Sequence, residues 1–109
     1  MALPGAYEQM RREQPEMMAA YEALGEACKR AGPLDEKTAA LVKVALALGT
    51  GLEGATHSAV RKALTAGCTR EQLLHVAALG TTTLGFPAMM RGRTWVLDVL
   101  EAPSPRPSS

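Results

Sequence analysis

Aromatic residues and cysteines are both scarce in this sequence of 109 residues. The aromatic residues make up 4% of the chain and are Tyr7, Tyr21, Phe86 and Trp95. The two cysteines, Cys28 and Cys68, exclude the disulfide framework that holds many small secreted domains together. Since few aromatic side chains are present, the core must come from Ala, Leu, Val and Met. Such a core is thin, and we expect neighbouring subunits to complete it.

An excess of charge of either sign is also missing. Twelve basic and eleven acidic residues leave a formal net charge of +1. This balance lacks the basic surface that nucleic acids or anionic membranes attract. The longest nearly uncharged run, Ala39–Leu52, is interrupted by Lys43 and is too short to span a bilayer. We therefore expect neither a nucleic-acid partner nor a membrane partner.

The sequence has the length of one domain, and we predict a single domain over residues 1–101. Met1–Ala6 has neither the basic start nor the apolar stretch of a signal peptide. Together with the two unpaired cysteines, this predicts a cytoplasmic location. The segment Ala102–Ser109 contains three prolines and three serines and is predicted to be a disordered tail.

Apolar residues recur at helical spacing between helix stop signals, and no run alternates for long enough to predict a strand. A short helix is predicted around Tyr7 and Met10. Longer helices are predicted from Pro15 to the Ala31–Pro33 stop, over Ala39–Leu48, from Thr50 or Leu52 to Gly67, from Thr69 to Leu84, and from Pro87 onward. The sequence therefore predicts an all-α subunit of five or six helices.

Two of these predicted helices carry a further expectation. Thr69 and Gln72, three residues apart, have the spacing of a capping box at a helix start. The helix over Ala39–Leu48 is apolar on nearly every face, so we expect it to be buried on all sides.

The polar pair Glu53 and His57 is the main candidate for chemistry. Four residues apart on a helix, their side chains lie one turn above the other. A carboxylate beside an imidazole orients the ring, favours its protonated form and makes an acid–base pair. Two structural alternatives remain: Thr50 and Glu53 also have capping-box spacing, and a Glu–His pair often serves as a surface or interface contact.

The other histidine and the cysteines are weaker candidates. His75 is flanked by Leu74 and Val76, and we expect it to pack or to lie at an interface. His57 and His75 with Glu53 would be ligands of a kind that binds metals, but a long stretch of chain separates the two histidines, so we expect no metal site. We also expect no cofactor. Cys68 follows Gly67 at a predicted helix start, where a thiolate is favoured, but a single thiol there is usually structural.

The segment Pro33–Met90 resembles the carboxymuconolactone decarboxylase family, which includes the AhpD-type alkylhydroperoxidases. The resemblance covers about half of the chain. The matching stretches are Pro33-Leu-Asp-Glu-Lys-Thr38, Glu53-x-x-x-His57, Val60-Arg-Lys-Ala-Leu64, Ala66-Gly-Cys-Thr-Arg-Glu-Gln72 and Leu84-Gly-Phe-Pro-Ala88.

The resemblance implies a role for each matched position. Members with peroxidase activity have a Cys-x-x-Cys-x-x-x-His motif here. His57 corresponds to its histidine, Glu53 to its second cysteine and Thr50 to its first, while Thr38 corresponds to a family glutamate. A dithiol cycle needs an attacking thiolate and a resolving thiol, and the motif positions hold neither. The decarboxylase branch has Glu-x-x-x-His at this place, as this chain does.

The resemblance also implies a function and an assembly. We expect an enzyme of proton-transfer or decarboxylase type that acts on a small organic acid or lactone. Glu53 and His57 are the predicted catalytic residues, and Arg61 and Thr50 are the predicted substrate-binding residues. The alternatives are an AhpD-like peroxidase or a non-catalytic oligomeric binding protein. The family implies a homotrimer or homohexamer.

Overall fold

The computed structural model describes residues 3–102. Within this range the chain forms six α-helices, one 3₁₀ turn and no strand, which confirms the all-α prediction. The helices are α1 (Leu3–Glu13), α2 (Pro15–Arg30), α3 (Glu36–Thr50), α4 (Glu53–Thr65), α5 (Arg70–Leu79) and α6 (Phe86–Leu100), with the 3₁₀ turn at Gly80–Thr82. Apart from Ala102, the predicted tail lies outside the described residues.

Contacts divide the chain into two units, and the boundary falls between Glu36 and Lys37. In the first unit α1 packs against α2, whose first turn contains Pro15 as predicted. The Tyr7 hydroxyl donates a hydrogen bond of 2.5 Å to Glu22 Oε2. This bond to a carboxylate raises the pKa of Tyr7 above its ordinary value. A single domain over residues 1–101 stays a prediction.

The core of the second unit is built from small and medium-sized side chains. Here α6 packs against both α4 and α5. The buried cluster consists of Val44, Val60, Ala63, Cys68, Leu73, Ala77 and Val96. It contains no aromatic side chain, as the composition predicts, so the helices that carry it approach each other closely.

The packing of α6 shows how close this approach is. Gly92 is a buried residue of α6, and a methyl group in its place would lie 2.6 Å from Leu48 Cδ2 of α3. Carbon atoms are not found so close together, so either Leu48 would have to move or the helices would have to separate.

The prediction that the helix over Ala39–Leu48 is buried on all sides is wrong for the single chain. Val44 and Ala47 of α3 are buried, but Val42 and Leu46 are 41% and 61% exposed. One side of α3 therefore packs within the unit, while another leaves large aliphatic side chains in solvent.

The end of α5 also differs from the prediction. The fourth long helix was expected to continue to Leu84, but α5 ends at Leu79 and a 3₁₀ turn follows. Gly80 and the following threonines have low helix propensity, and the Gly80 carbonyl accepts from the N–H groups of Thr83 and Leu84. Gly85, at φ +100°, then leads into α6, which has Pro87 in its first turn as predicted.

The predicted capping box and the predicted stop at Gly67 are both confirmed. Thr69 Oγ1 accepts from the Gln72 N–H at 3.1 Å, and Gln72 Oε1 accepts from the Thr69 N–H at 2.9 Å. Gly67 has a φ of +99°, a conformation that favours glycine at a helix C-terminus. No helix within residues 3–102 has the length and hydropathy needed to cross a bilayer.

The capping box gives a test of this local structure. Thr69→Ala removes the acceptor for a first-turn N–H of α5 and should lower the free energy of unfolding by about 1 kcal/mol in urea denaturation. The control is Thr65→Ala at the end of α4, where the hydroxyl only donates to the Arg61 carbonyl. We expect a change of less than about 0.5 kcal/mol there. Equal losses in the two variants would show that the box does not stabilise α5.

Candidate active site

The candidate site begins at the turn between α3 and α4. Gly51 makes this turn with a φ of +73°, which a side chain would strain, and Leu52 is the N-cap of α4. Thr50 is the last residue of α3, and its hydroxyl donates to the Ala47 carbonyl at 2.6 Å. It accepts from the Leu52 N–H at 3.3 Å. The capping box considered for Thr50 and Glu53 is therefore wrong, because the turn separates the two residues.

Glu53 and His57 lie on one face of α4, as their spacing predicts. Glu53 Oε2 is 3.8 Å from His57 Nε2. The His57 side chain is 7% exposed, whereas the Glu53 side chain is 59% exposed. The imidazole is thus held inside the protein while its carboxylate neighbour faces solvent.

Asp98 completes the site and was missed by sequence reasoning. It lies on α6, 41 residues from His57, and its Oδ2 is 3.0 Å from His57 Nε2. No sequence spacing relates the two residues, because the packing of α6 against α4 brings them together. One signal was present: Asp98 is the only charged residue in the apolar segment Trp95–Leu100.

We call Glu53, His57 and Asp98 the acid–base trio. Together they can hold a proton on one ring nitrogen of His57. Both carboxylates converge on Nε2, which can donate its hydrogen to Asp98 at 3.0 Å while Glu53 stands at 3.8 Å. A carboxylate oxygen only accepts, so the contact of 3.0 Å with Asp98 requires the hydrogen to be on Nε2. The Asp98 side chain is 46% exposed, so the trio opens to solvent through its carboxylates. An imidazole that contacts solvent-exposed carboxylates can exchange protons through them.

The same three residues could hold a metal ion. Glu53, His57 and Asp98 each offer one ligand atom, and these atoms lie within 4.8 Å of one another. One imidazole and two carboxylates suit divalent transition metals. His75, considered from the sequence as a third ligand, is instead an exposed residue of α5. The expectation of no metal stays a prediction.

Thr50 and Arg61, the two residues predicted to bind substrate, both make other interactions in the structure. The Thr50 hydroxyl is used at the end of α3 and in the turn that follows. Arg61 is half-buried on α4, one turn beyond His57, and is already engaged in an interaction. That either residue binds substrate stays a prediction.

Neither cysteine is a member of the trio. Cys28 is exposed on α2. Cys68 is 5% exposed in the core of the second unit, and its thiol donates to the Lys37 carbonyl at 3.6 Å. Its surroundings are those of a structural thiol.

Comparisons with known proteins identify the family to which this helical chain belongs. The sequence profile of the carboxymuconolactone decarboxylase family matches residues 15–98, most of the chain. The crystal structure of a family member from Legionella pneumophila, described in its apo form, is similar in fold with a TM-score of 0.77. It is 25% identical in sequence, and the match covers 91% of this chain and 88% of that one. No curated protein matches this sequence.

The chain therefore belongs to the carboxymuconolactone decarboxylase family. The matched region extends beyond the resemblance noted in the sequence and ends at Asp98, so it includes all three residues of the acid–base trio.

The geometry of the trio predicts that removing its two carboxylates lowers the free energy of unfolding by unequal amounts. Asp98→Ala leaves a buried ring nitrogen without its 3.0 Å partner and should lower the free energy of unfolding by about 1–3 kcal/mol. Glu53→Ala removes only an exposed contact at 3.8 Å and should cost less than about 1 kcal/mol.

Urea denaturation at pH 7 measures both costs. Asp98→Asn is the matched variant, because its amide oxygen can still accept from the ring and should recover part of the loss. A larger loss for Glu53→Ala than for Asp98→Ala would contradict this account of the site.

Proposed function

We propose that this protein is an enzyme that transfers a proton to the carbon skeleton of a small organic acid or lactone, with decarboxylation as the reaction its family suggests. The observation that carries the proposal is the buried His57 ring, whose Nε2 is approached by two carboxylates that are themselves exposed to solvent. This arrangement combines a fixed proton carrier with carboxylates that reach solvent.

Each residue of the trio has a role in the proposed reaction. When the bond to the carboxylate carbon breaks, its electron pair stays on the substrate as an enolate, and CO₂ leaves. His57, as an imidazolium, donates the proton of the ring nitrogen that Asp98 does not hold to the enolate carbon, and later regains a proton from solvent. Asp98 orients the ring and stabilises the imidazolium through the contact of 3.0 Å. Glu53 adds a second negative charge beside the same nitrogen.

The composition of the trio supports proton transfer over peroxide reduction. A thiol-dependent cycle needs a reactive thiolate near a second thiol. The trio contains carboxylates and an imidazole, while Cys68 is a buried residue hydrogen-bonded to a backbone carbonyl.

Replacement of His57 tests the proposed function. With carboxymuconolactone as the first substrate assayed, His57→Gln should lower the rate of CO₂ release by about 10²–10⁴-fold, the usual contribution of a general acid. The matched control is His75→Gln, since His75 is the other histidine and is exposed on α5. It should retain the activity of the unaltered protein.

Two further measurements separate loss of catalysis from loss of structure. Circular dichroism and a urea transition should show that the His57→Gln variant is folded under the assay conditions. A folded His57→Gln variant with full turnover would contradict the proposal. So would a lack of turnover across a panel of related lactones and β-keto acids by the unaltered protein, with and without added Zn²⁺ or Mn²⁺.

We also propose that the protein acts as a homo-oligomer, a trimer or hexamer as the family resemblance implies. The exposure of large aliphatic side chains on the second unit supports an oligomer. The core of this unit is small, yet these side chains are left in solvent in the single chain, where a neighbouring subunit could cover them. Leu46 and Leu79 are 61% and 62% exposed. Residues of α3, α5 and the segment 80–84 line a mainly aliphatic groove of about 350 Å³. Exposed apolar surface of this kind marks protein contacts.

Light scattering after size exclusion tests the assembly. We expect a mass of three or six subunits for the unaltered protein and a smaller mass for Leu46→Lys, because a buried charge opposes association. Thr65→Lys places the same charge at an exposed polar position of α4 and should leave the mass unchanged. A monomeric unaltered protein at micromolar concentration would contradict the proposal.

A further inference from the structure

The sequence-based expectation of no metal site rested on the long stretch of chain between His57 and His75. In the structure the third ligand atom beside Glu53 and His57 belongs to Asp98 instead. The reason for that expectation therefore no longer applies. Whether the acid–base trio suits a metal ion depends on its distances, its support by the fold and its charge.

The distances between the ligand atoms of the trio are close to those around one bound ion. Nitrogen and oxygen ligands lie about 2.1 Å from a divalent transition metal, so two of them are separated by about 3.0 Å at a right angle and by about 4.2 Å across the ion. His57 Nε2 is 3.0 Å from Asp98 Oδ2 and 3.8 Å from Glu53 Oε2. The two carboxylates lie within 4.8 Å of each other. A small rotation of the exposed Glu53 side chain brings that last separation into range.

The fold holds these ligands on one side of a future ion. Glu53 and His57 are four residues apart on α4, the spacing at which two side chains of a helix can bind the same metal. Asp98 is held opposite them because α6 packs against α4. The imidazole is nearly buried, whereas both carboxylates reach solvent. An ion bound here keeps coordination positions for water, as sites with three protein ligands do.

Within residues 3–102, no lysine or arginine forms an ion pair with either carboxylate of the trio. Glu53 and Asp98 pair with His57, and the other ion pairs of this part of the chain involve neither of them. Beside a neutral ring, the two negative charges lie within 4.8 Å of each other and repel. A divalent cation between them cancels both charges.

The kind of ion follows from the donor atoms. Imidazole nitrogen suits zinc and other first-row transition metals, which carboxylate oxygen can also bind. Calcium and magnesium are held through oxygen atoms and water, so neither suits a site whose buried ligand is a nitrogen.

We propose that Glu53, His57 and Asp98 bind one divalent transition-metal ion, for which Zn²⁺ is the probe, and that the ion replaces the hydrogen on His57 Nε2. A ring nitrogen binds a metal through its lone pair, so the hydrogen must move to Nδ1 when Nε2 becomes a ligand. Asp98 then changes from a hydrogen-bond acceptor to a metal ligand. The metal site goes beyond the proposed reaction and does not rest on it.

Isothermal titration calorimetry with Zn²⁺ tests the site on protein that has been stripped with EDTA and freed of the chelator. The unaltered protein should bind one ion per chain at the trio, and Mg²⁺ at the same concentrations should produce no binding. Glu53→Gln changes an exposed side chain and leaves the His57–Asp98 contact intact, so the variant should fold. Its affinity for Zn²⁺ should fall by about tenfold or more, because even residues that only orient a ligand contribute about 10–100-fold.

Three control variants show whether the ion binds at the trio. Glu71→Gln makes the same change in the first turn of α5 and should bind Zn²⁺ as the unaltered protein does. His75→Gln and Cys28→Ser remove an exposed imidazole and an exposed thiol that attract Zn²⁺ elsewhere, and both should also retain the site. If Glu53→Gln binds as tightly as the unaltered protein, or if the unaltered protein binds no Zn²⁺, this inference is overturned.

Long-range ¹⁵N–¹H NMR spectra give a readout that a purely structural role of Glu53 would not change. The His57 hydrogen should be on Nε2 in the metal-free protein and on Nδ1 in the protein saturated with Zn²⁺. A His57 ring that keeps its hydrogen on Nε2 at saturation would also overturn the inference.

Turnover separates this inference from the proposed function. A metal-bound His57 is not an imidazolium, so saturation with Zn²⁺ should stop the proposed reaction and EDTA should restore it. If no turnover is found but Zn²⁺ binding depends on Glu53 and moves the hydrogen, the proposed reaction fails and the metal site stands. If turnover depends on His57 but Glu53→Gln does not weaken Zn²⁺ binding, the metal site fails and the reaction stands.

Discussion

The site depends on one contact, the approach of Asp98 Oδ2 to His57 Nε2 at 3.0 Å. A ring nitrogen that is nearly buried needs a hydrogen-bond partner, because an unsatisfied polar group in the core costs about 1–3 kcal/mol. The partner comes from α6, so the pairing of α4 with α6 is a structural requirement as well as a chemical one. Helix packing and the proposed proton transfer thereby depend on the same pair of side chains.

Small residues make this pairing possible. The core of the second unit has no aromatic side chain, and α6 carries a buried glycine where α3 approaches. A thin core keeps α4 and α6 close enough for an aspartate to reach a histidine. It also leaves large aliphatic side chains such as Leu46 in solvent, the surface on which the proposed assembly rests. The shortage of aromatic residues thus bears on both the candidate site and the proposed subunit contacts.

The sequence was a good guide to features that depend on local spacing. Helical periodicity predicted the all-α fold, the Thr69–Gln72 capping box and the placement of Glu53 one turn before His57. The sequence did not predict the contacts that depend on tertiary packing. Asp98 is 41 residues from His57, and no local pattern encodes their contact, although a lone carboxylate in an apolar segment was a usable signal. The capping box considered as an alternative for Thr50 and Glu53 does not form, because a glycine turn at Gly51 separates Thr50 from α4.

The most direct test of the central claim is the location of the proton on the His57 ring. Long-range ¹⁵N–¹H NMR spectra of the folded protein at neutral pH distinguish a protonated Nε2 from an unprotonated one. Our account predicts a proton on Nε2, directed at Asp98, and a clear change in that signal in Asp98→Ala but a smaller one in Glu53→Ala. An unprotonated Nε2 in the unaltered protein would contradict the account, since two acceptors do not share a contact of 3.0 Å.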